Sequence, residues 1–136
     1  MAEPYPYIDK LASCSCGACQ IRVKGKPIRI SICHCQACQR RSGSIMAVQA
    51  RFAMADLTLL GSLQRYVRQA ESGNPVWFYF CPNCAATLYY QFPDQAEFAS
   101  IPVGAFADAS FPIPQFSVYN ENKHVWLNLP ECIAAE

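Results

Sequence analysis

Nine cysteines in 136 residues fall into three clusters and a singleton: Cys14, Cys16 and Cys19; Cys33, Cys35 and Cys38; Cys81 and Cys84; and Cys132. Their spacing is that of metal ligands. Cys81-Pro82-Asn83-Cys84 is a C-x-x-C, which across a tight turn brings two sulfurs to one side with backbone amides aimed at them. That is half of a tetrahedral zinc site. A thioredoxin-like redox pair shares the spacing but expects a helix to begin at the motif within a βαβ unit. Here the strand-like run T-L-Y-Y-Q-F follows, which favours zinc. Cys14-Ser15-Cys16 offers the other half, because side chains two apart in an extended segment share a face, and Gly17 suits a tight turn after it. Four thiolates close the coordination sphere, leave no place for a substrate and read as structural.

The second cluster, Cys33-His34-Cys35-Gln36-Ala37-Cys38, combines C-x-C with C-x-x-C and offers three corners of one tetrahedron. His34 points away from Cys33 and Cys35 if the run is extended, so no fourth ligand stands in the segment. Three protein ligands and an open position form the pattern of a catalytic zinc. The competing reading is a second structural site completed by Cys19, Cys132 or His124. A Zn²⁺ held by three thiolates carries net charge −1 and suits a thiol better than water, since a coordinated thiol is deprotonated outright. Accepting one would take the centre to −2. Arg40 and Arg41, just after the cluster, are placed to offset that charge or to grip a substrate carboxylate bidentately; the plainer reading is two surface cations. Ser42-Gly43-Ser44 could offer amides to an anion or be an ordinary loop. His34 reads first as a partly exposed spacer and second as a supporting hydrogen-bond group. His124 reads as a core-edge residue, Tyr79, Tyr89 and Tyr90 as hairpin packing, and Trp77, Phe78 and Phe80 as core over the structural zinc.

Composition narrows the classes. A chain of this length suits one domain spanning residues 1–136. With 52% hydrophobic and 15% charged residues it can bury enough apolar surface to fold. A formal charge of +1 removes the broad basic footprint of a nucleic-acid binder. No stretch approaches the ~20 apolar residues of a membrane span. Met1–Lys10 lacks the basic and apolar regions of a signal peptide, so the cytoplasm is the expected compartment. Thiols are kept reduced there, and an odd cysteine count forbids complete disulfide pairing, so metal is the leading explanation.

The elements that must position these thiols read mostly as short strands. Gln20–Lys24 alternates with Ile21 and Val23 on one face, and Ile28–Ile32 places Ile28, Ile30 and Ile32 inward. Runs at 45–52, 57–60, 63–68, 76–80 and 87–92 are rich in aromatic and β-branched residues, which favours strand. Helical signals are confined to one turn near Gln36–Arg41 and another near Phe106–Ser110. A mainly β fold with short strands, long loops and little helix is expected.

The pattern resembles the glutathione-dependent formaldehyde-activating enzyme family, also called the GFA or CENP-V domain. The resemblance rests on C-S-C-G-A-C at 14–19, C-H-C-Q-A-C at 33–38 followed by R-R-S-G-S at 40–44, and F-C-P-N-C at 80–84. V-Y-N-E-N-K-H-V-W at 118–126 looks like the family's C-terminal stretch. The resemblance implies an Mss4-like, zinc-stapled β fold with two zincs per chain, the second the more weakly held. It implies a carbon–sulfur lyase-type activity joining glutathione and formaldehyde, or splitting their adduct. By motif, Cys14, Cys16, Cys81 and Cys84 would hold the structural zinc and Cys33, Cys35 and Cys38 the catalytic one. Two departures stand out: Ala85 where the family usually has Gly, and Cys19 where members often carry an aliphatic residue, which reads as a small buried side chain. The alternatives are a zinc-stapled interaction module without turnover, and a zinc–thiolate redox or metal sensor. The expected partners are a small thiol such as glutathione and an aldehyde, with neither nucleic acid nor membrane.

Overall fold

A computed structural model describes residues 5–70 and 72–136. In chain order its strands are β1 (Ile8–Ser13), β2 (Gln20–Gly25), β3 (Arg29–Cys33), β4 (Ala47–Ala53), β5 (Leu57–Leu60), β6 (Gln64–Gln69), β7 (Pro75–Phe80), β8 (Thr87–Gln91), β9 (Phe98–Pro102), β10 (Phe116–Val118) and β11 (Ala134–Ala135). A small antiparallel sheet runs β1-β2-β5, and a large one runs β11-β10-β3-β4-β9-β8-β7-β6. The single α-helix among the described residues is α1 (Gln36–Ser42). No helix is long and apolar enough to cross a membrane. The fold is mainly β, as the sequence predicts.

Strand periodicity explains how the large sheet is used. Successive side chains point to opposite faces, and the two faces carry different chemistry. On one face Ile30, Ala50, Phe52, Ala99 and Ile101 are buried and pack in one cluster with Ile8, Ala12, Ile21 and Val23 of the small sheet. On the other face one cross-strand row runs Tyr66, Phe78, Tyr90, Ser100, Arg51, Arg29 through six strands in register. All of that row but Tyr66 line a cavity of about 640 Å³.

Several local expectations need correction. Ile28 precedes β3 and is exposed; its N–H is spent on the Arg51 carbonyl at 2.7 Å, which starts the β3–β4 ladder one residue before the strand. The helical turn expected at Phe106–Ser110 lies earlier, at Val103–Phe106, because Ala107 enters the left-handed region at φ +47° and ends it. Asp108 then accepts from the Ser110 N–H and hydroxyl, holding the following residues in a turn. Phe78 is buried, but under the cavity and not in the main core; Trp77 is half-buried with the Arg65 guanidinium over its ring. β1, β9, β10 and β11 are additional to the expected strands.

Gly61 links the small sheet to the large one at φ +89°. A Cβ there would lie 2.3 Å from the Ala18 carbonyl oxygen and 3.0 Å from the Cys19 Cα, both backbone atoms of the first cysteine loop. Gly61→Ala is therefore expected to destabilise the fold by more than the ~1 kcal/mol of left-handed strain alone, measured by chemical denaturation. An unchanged midpoint would show that the loop moves freely.

Candidate metal centres

The first centre forms where two hairpin turns meet. Cys14 and Cys16 lie in the turn joining β1 to β2, and Cys81 and Cys84 in the turn joining β7 to β8. All four sulfurs lie within 4.8 Å of one another; Cys16 Sγ is 3.7 Å from both Cys14 Sγ and Cys81 Sγ. Each sulfur also receives an N–H. The Cys19 amide donates to Cys14 at 3.3 Å, the Asn83 side chain to Cys16 at 3.3 Å and the Asn83 amide to Cys81 at 3.4 Å. The Ala86 amide, followed by that of Cys16, holds the Cys84 thiol down at about 6. Hydrogen bonds to the charged form favour thiolates, so this donor set fits a soft divalent metal such as zinc.

Cys19 stands beside this centre without joining it. Its thiol is buried and donates to the Ser62 carbonyl at 3.4 Å. Burial first, and the neighbouring Cys81 second, push it up to about 11. Ala85, the departure from the family glycine, adopts the left-handed conformation at φ +68°. The turn closes nonetheless: the Ala85 N–H reaches the Cys81 carbonyl at 2.7 Å and the Cys81 N–H reaches that of Ala86 at 3.0 Å.

The second centre gathers Cys33 at the end of β3, Cys35 at the N-cap of α1 and Cys38 in its first turn, again with sulfurs within 4.8 Å. No fourth histidine, cysteine or carboxylate joins them among the described residues, and neither Cys19, Cys132 nor His124 completes the set. Cys35 Sγ caps the helix by accepting from the Cys38 amide at 3.3 Å. The neighbouring Cys38 thiol holds Cys33 below the ordinary thiol range, while Cys33 first and burial second push Cys38 well above it. Three sulfurs this close suit a cation that would displace their protons.

The surroundings of this cluster are rigid. His34 is fully buried rather than a partly exposed spacer. The Ser117 hydroxyl donates to Asn120 Oδ1 at 2.6 Å, so its oxygen accepts from His34 Nε2 at 2.9 Å, and the imidazole is the neutral Nε2–H form. Burial, then the Lys123 and His124 charges, lower its pKa in the same sense. Gln39 on α1 donates to the His34 and Asn122 carbonyls at 2.8 and 3.3 Å, while its Oε1 meets His124 Nε2 at 3.0 Å. His124 thus braces the helix and is no core-edge residue; its neighbours Val125 and Trp126 are exposed.

The cavity opens directly on the second centre, with Cys33, Cys35 and Cys38 in its wall. Arg41 lines it; Arg40 is exposed and does not. Arg51 and Arg68, which stand in no motif, line it as well. None of Arg41, Arg51 and Arg68 meets a carboxylate at ion-pair distance among the described residues. Arg41 and Arg68 both lie over the Phe78 ring, at 5.2 and 4.8 Å from its centroid. Arg41 Nε and Gln49 Oε1 are buried without a hydrogen-bond partner. Tyr90 also faces the cavity, instead of serving only as hairpin packing. The signal for Gln49 and Arg51 was present as alternation with Ala50 and Phe52 in Q-A-R-F; Arg68 and Tyr90 carried no local signal.

A mainly β scaffold holding one four-thiol and one three-thiol cluster, the latter beside an arginine-lined cavity, defines a class of protein with two candidate metal centres. Residues 10–123 match the model of the glutathione-dependent formaldehyde-activating enzyme family, and the chain belongs to that family. Among solved structures it is similar to a Rhodobacter sphaeroides protein, with a TM-score of 0.53 and 24% identity, covering 70% of this chain and 85% of that one. That likeness bears on the fold. No curated protein matches.

The strained turn of the first centre gives a direct test. Replacing Ala85 by glycine removes the left-handed penalty without touching a ligand, and should stabilise the protein by about 1 kcal/mol, read as a raised denaturation midpoint at equal metal content.

Proposed function

We propose that the chain is a zinc-dependent enzyme of carbon–sulfur lyase type that joins or splits a small thiol and an aldehyde. The observation that carries this reading is the three-cysteine cluster opening on a cavity whose wall holds Arg41, Arg51 and Arg68, none of them at ion-pair distance from a carboxylate among the described residues. Family membership, through the family's own name, supplies glutathione and formaldehyde as the leading substrate pair.

In this reading Cys14, Cys16, Cys81 and Cys84 hold a structural zinc, and Cys33, Cys35 and Cys38 hold a catalytic one through their sulfurs. When bound, the second zinc supplies stabilisation of a substrate thiolate at neutral pH. The chain's own residues bind and orient. Arg41, Arg51 and Arg68 hold substrate carboxylates by charge-assisted bonds, and Gln49 offers its unpartnered amide oxygen to the substrate ammonium. Phe78 keeps Arg41 and Arg68 apart and extended, since both guanidiniums rest on its ring. The cavity face admits water, so the reaction exchanges protons with solvent. Nine unpaired thiols suit a reducing compartment, and the cytoplasm is the proposed location for this single domain of residues 1–136.

Metal analysis and mutation separate the two centres. Protein purified without chelator should contain two zincs per chain, the second lost first on dilution into a mild chelator. Cys81→Ser should abolish stable folding, because a structural zinc contributes on the order of 10 kcal/mol in small zinc domains. Cys35→Ser should leave a folded protein with one zinc; equal unfolding in both variants would make the second cluster structural too.

Activity is tested with metal-replete protein and a panel of thiols and aldehydes, following adduct exchange by NMR. Glutathione with formaldehyde should exchange faster than in buffer. Arg41→Gln with Arg51→Gln should weaken glutathione binding roughly ten- to a hundredfold, the worth of one surviving charge-assisted contact. A small neutral thiol should lose less, and Arg40→Gln should change neither. Binding without exchange above the buffer rate for every pair would leave an interaction module.

A further inference from the structure

Resting on the thiol–aldehyde reading above, we infer that Tyr90 is a catalytic residue whose phenol hydroxyl donates a hydrogen bond to the aldehyde oxygen as the carbon–sulfur bond forms. The inference starts from its face. Tyr89 and Tyr90 are neighbours on β8 and point to opposite sides of the sheet. Tyr89 takes the core side, stacked on Tyr79 at 4.4 Å between ring centroids. Tyr90 takes the cavity side, paired in register with Phe78 on β7 and Ser100 on β9.

The surroundings of the phenol are those of a reaction site. Its ring lies 5.2 Å from that of Phe78 and 5.6 Å from the Arg41 guanidinium carbon. Cys33, Cys38 and Arg41 share the cavity wall with it, and Ser100 is its cross-strand partner. Two of the three cluster sulfurs, a guanidinium and a phenol therefore face one cavity. Of the two neighbouring tyrosines, Tyr90 is the one that lines the cavity.

The chemistry of the addition asks for such a group. The sulfur lone pair forms the new S–C bond while the C=O π pair moves onto oxygen. That oxygen then takes a proton from water entering the cavity, balancing the proton the thiol released. Neither oxidant nor reductant is needed. A neutral donor aimed at the oxygen stabilises the charge that develops there. An ordinary phenol is protonated at neutral pH, so Tyr90 is available there as a donor. In the reverse direction the same bond holds the oxygen as the S–C bond breaks.

The test is Tyr90→Phe in metal-replete protein, which keeps the ring packing and removes the donor. Thiol affinity and zinc content should stay unchanged, while the rate of glutathione–formaldehyde exchange above buffer falls about 100-fold, the loss expected for one such donor. A second readout is independent of turnover. The ¹³C-labelled carbonyl stretch of bound S-formylglutathione should shift to lower wavenumber in the wild type and lose that shift in the variant. Should Tyr90→Phe fail to fold, a fluorinated tyrosine at position 90 keeps the hydroxyl and makes it a stronger donor, and the carbonyl shift should grow and the exchange rate change with it. An unchanged rate and carbonyl stretch in the variants would overturn the role of Tyr90. A wild-type carbonyl shift that depends on Tyr90, with no exchange above buffer, would uphold the donor and sink the lyase reading instead.

Discussion

The rest of the molecule depends on the alternation of side chains across one large sheet. Because successive residues point to opposite faces, a strand such as β4 must satisfy two environments at once: Ala50 and Phe52 fill the core, while Gln49 and Arg51 face the cavity. The same division runs through β3, β8 and β9. A register slip of one residue would turn arginines into the core and phenylalanine into the cavity, so the hydrophobic face fixes the register and the register places the polar face. The cavity is thus a by-product of core packing that the polar residues then exploit.

The thiol clusters divide along a similar geometric line. Two hairpin turns placed back to back bring four sulfurs inward and close the group, tying the small sheet to the large one. A strand end followed by a helix start brings three sulfurs together and leaves the fourth direction to the cavity. The difference between a closed and an open group therefore follows from the elements that present them, turn against turn in one case and strand into helix in the other. Buried His34 and the Gln39 hydrogen bonds keep the open group's backbone in place where a fourth ligand would otherwise have done so.

Much of this was legible in the sequence because short-range spacing carries ligand geometry. The C-x-C and C-x-x-C motifs identify both clusters, and the Q-A-C-Q-R-R turn is where α1 forms. Strands with clean alternation or aromatic runs, such as β2, β5 and β7, are also readable. β1 was not, because its apolar residues Ile8, Leu11 and Ala12 do not alternate. β9 was hidden because Ala99, Ser100 and Ile101 are all buried, which erases the pattern. Arg68 and Tyr90 became site residues only through pairing across β6, β7, β8 and β9. His34 looks like a spacer in the sequence because nothing near it announces Ser117, its partner 83 residues away.

β10 pairs in parallel with β3, so that Val118 lies beside Cys33 and its carbonyl accepts the His34 N–H at 3.1 Å. The first cluster likewise joins Cys16 to Cys81 across 65 positions. Assembly of the first centre, and bracing of the second, each waits on closure of a long loop, whose entropy must be met before its contacts form. Such a topology belongs among slowly folding chains. On the ribosome, the segment carrying Cys33, Cys35 and Cys38 emerges long before the strand that braces it. Its thiols then stand without that brace until β10 follows.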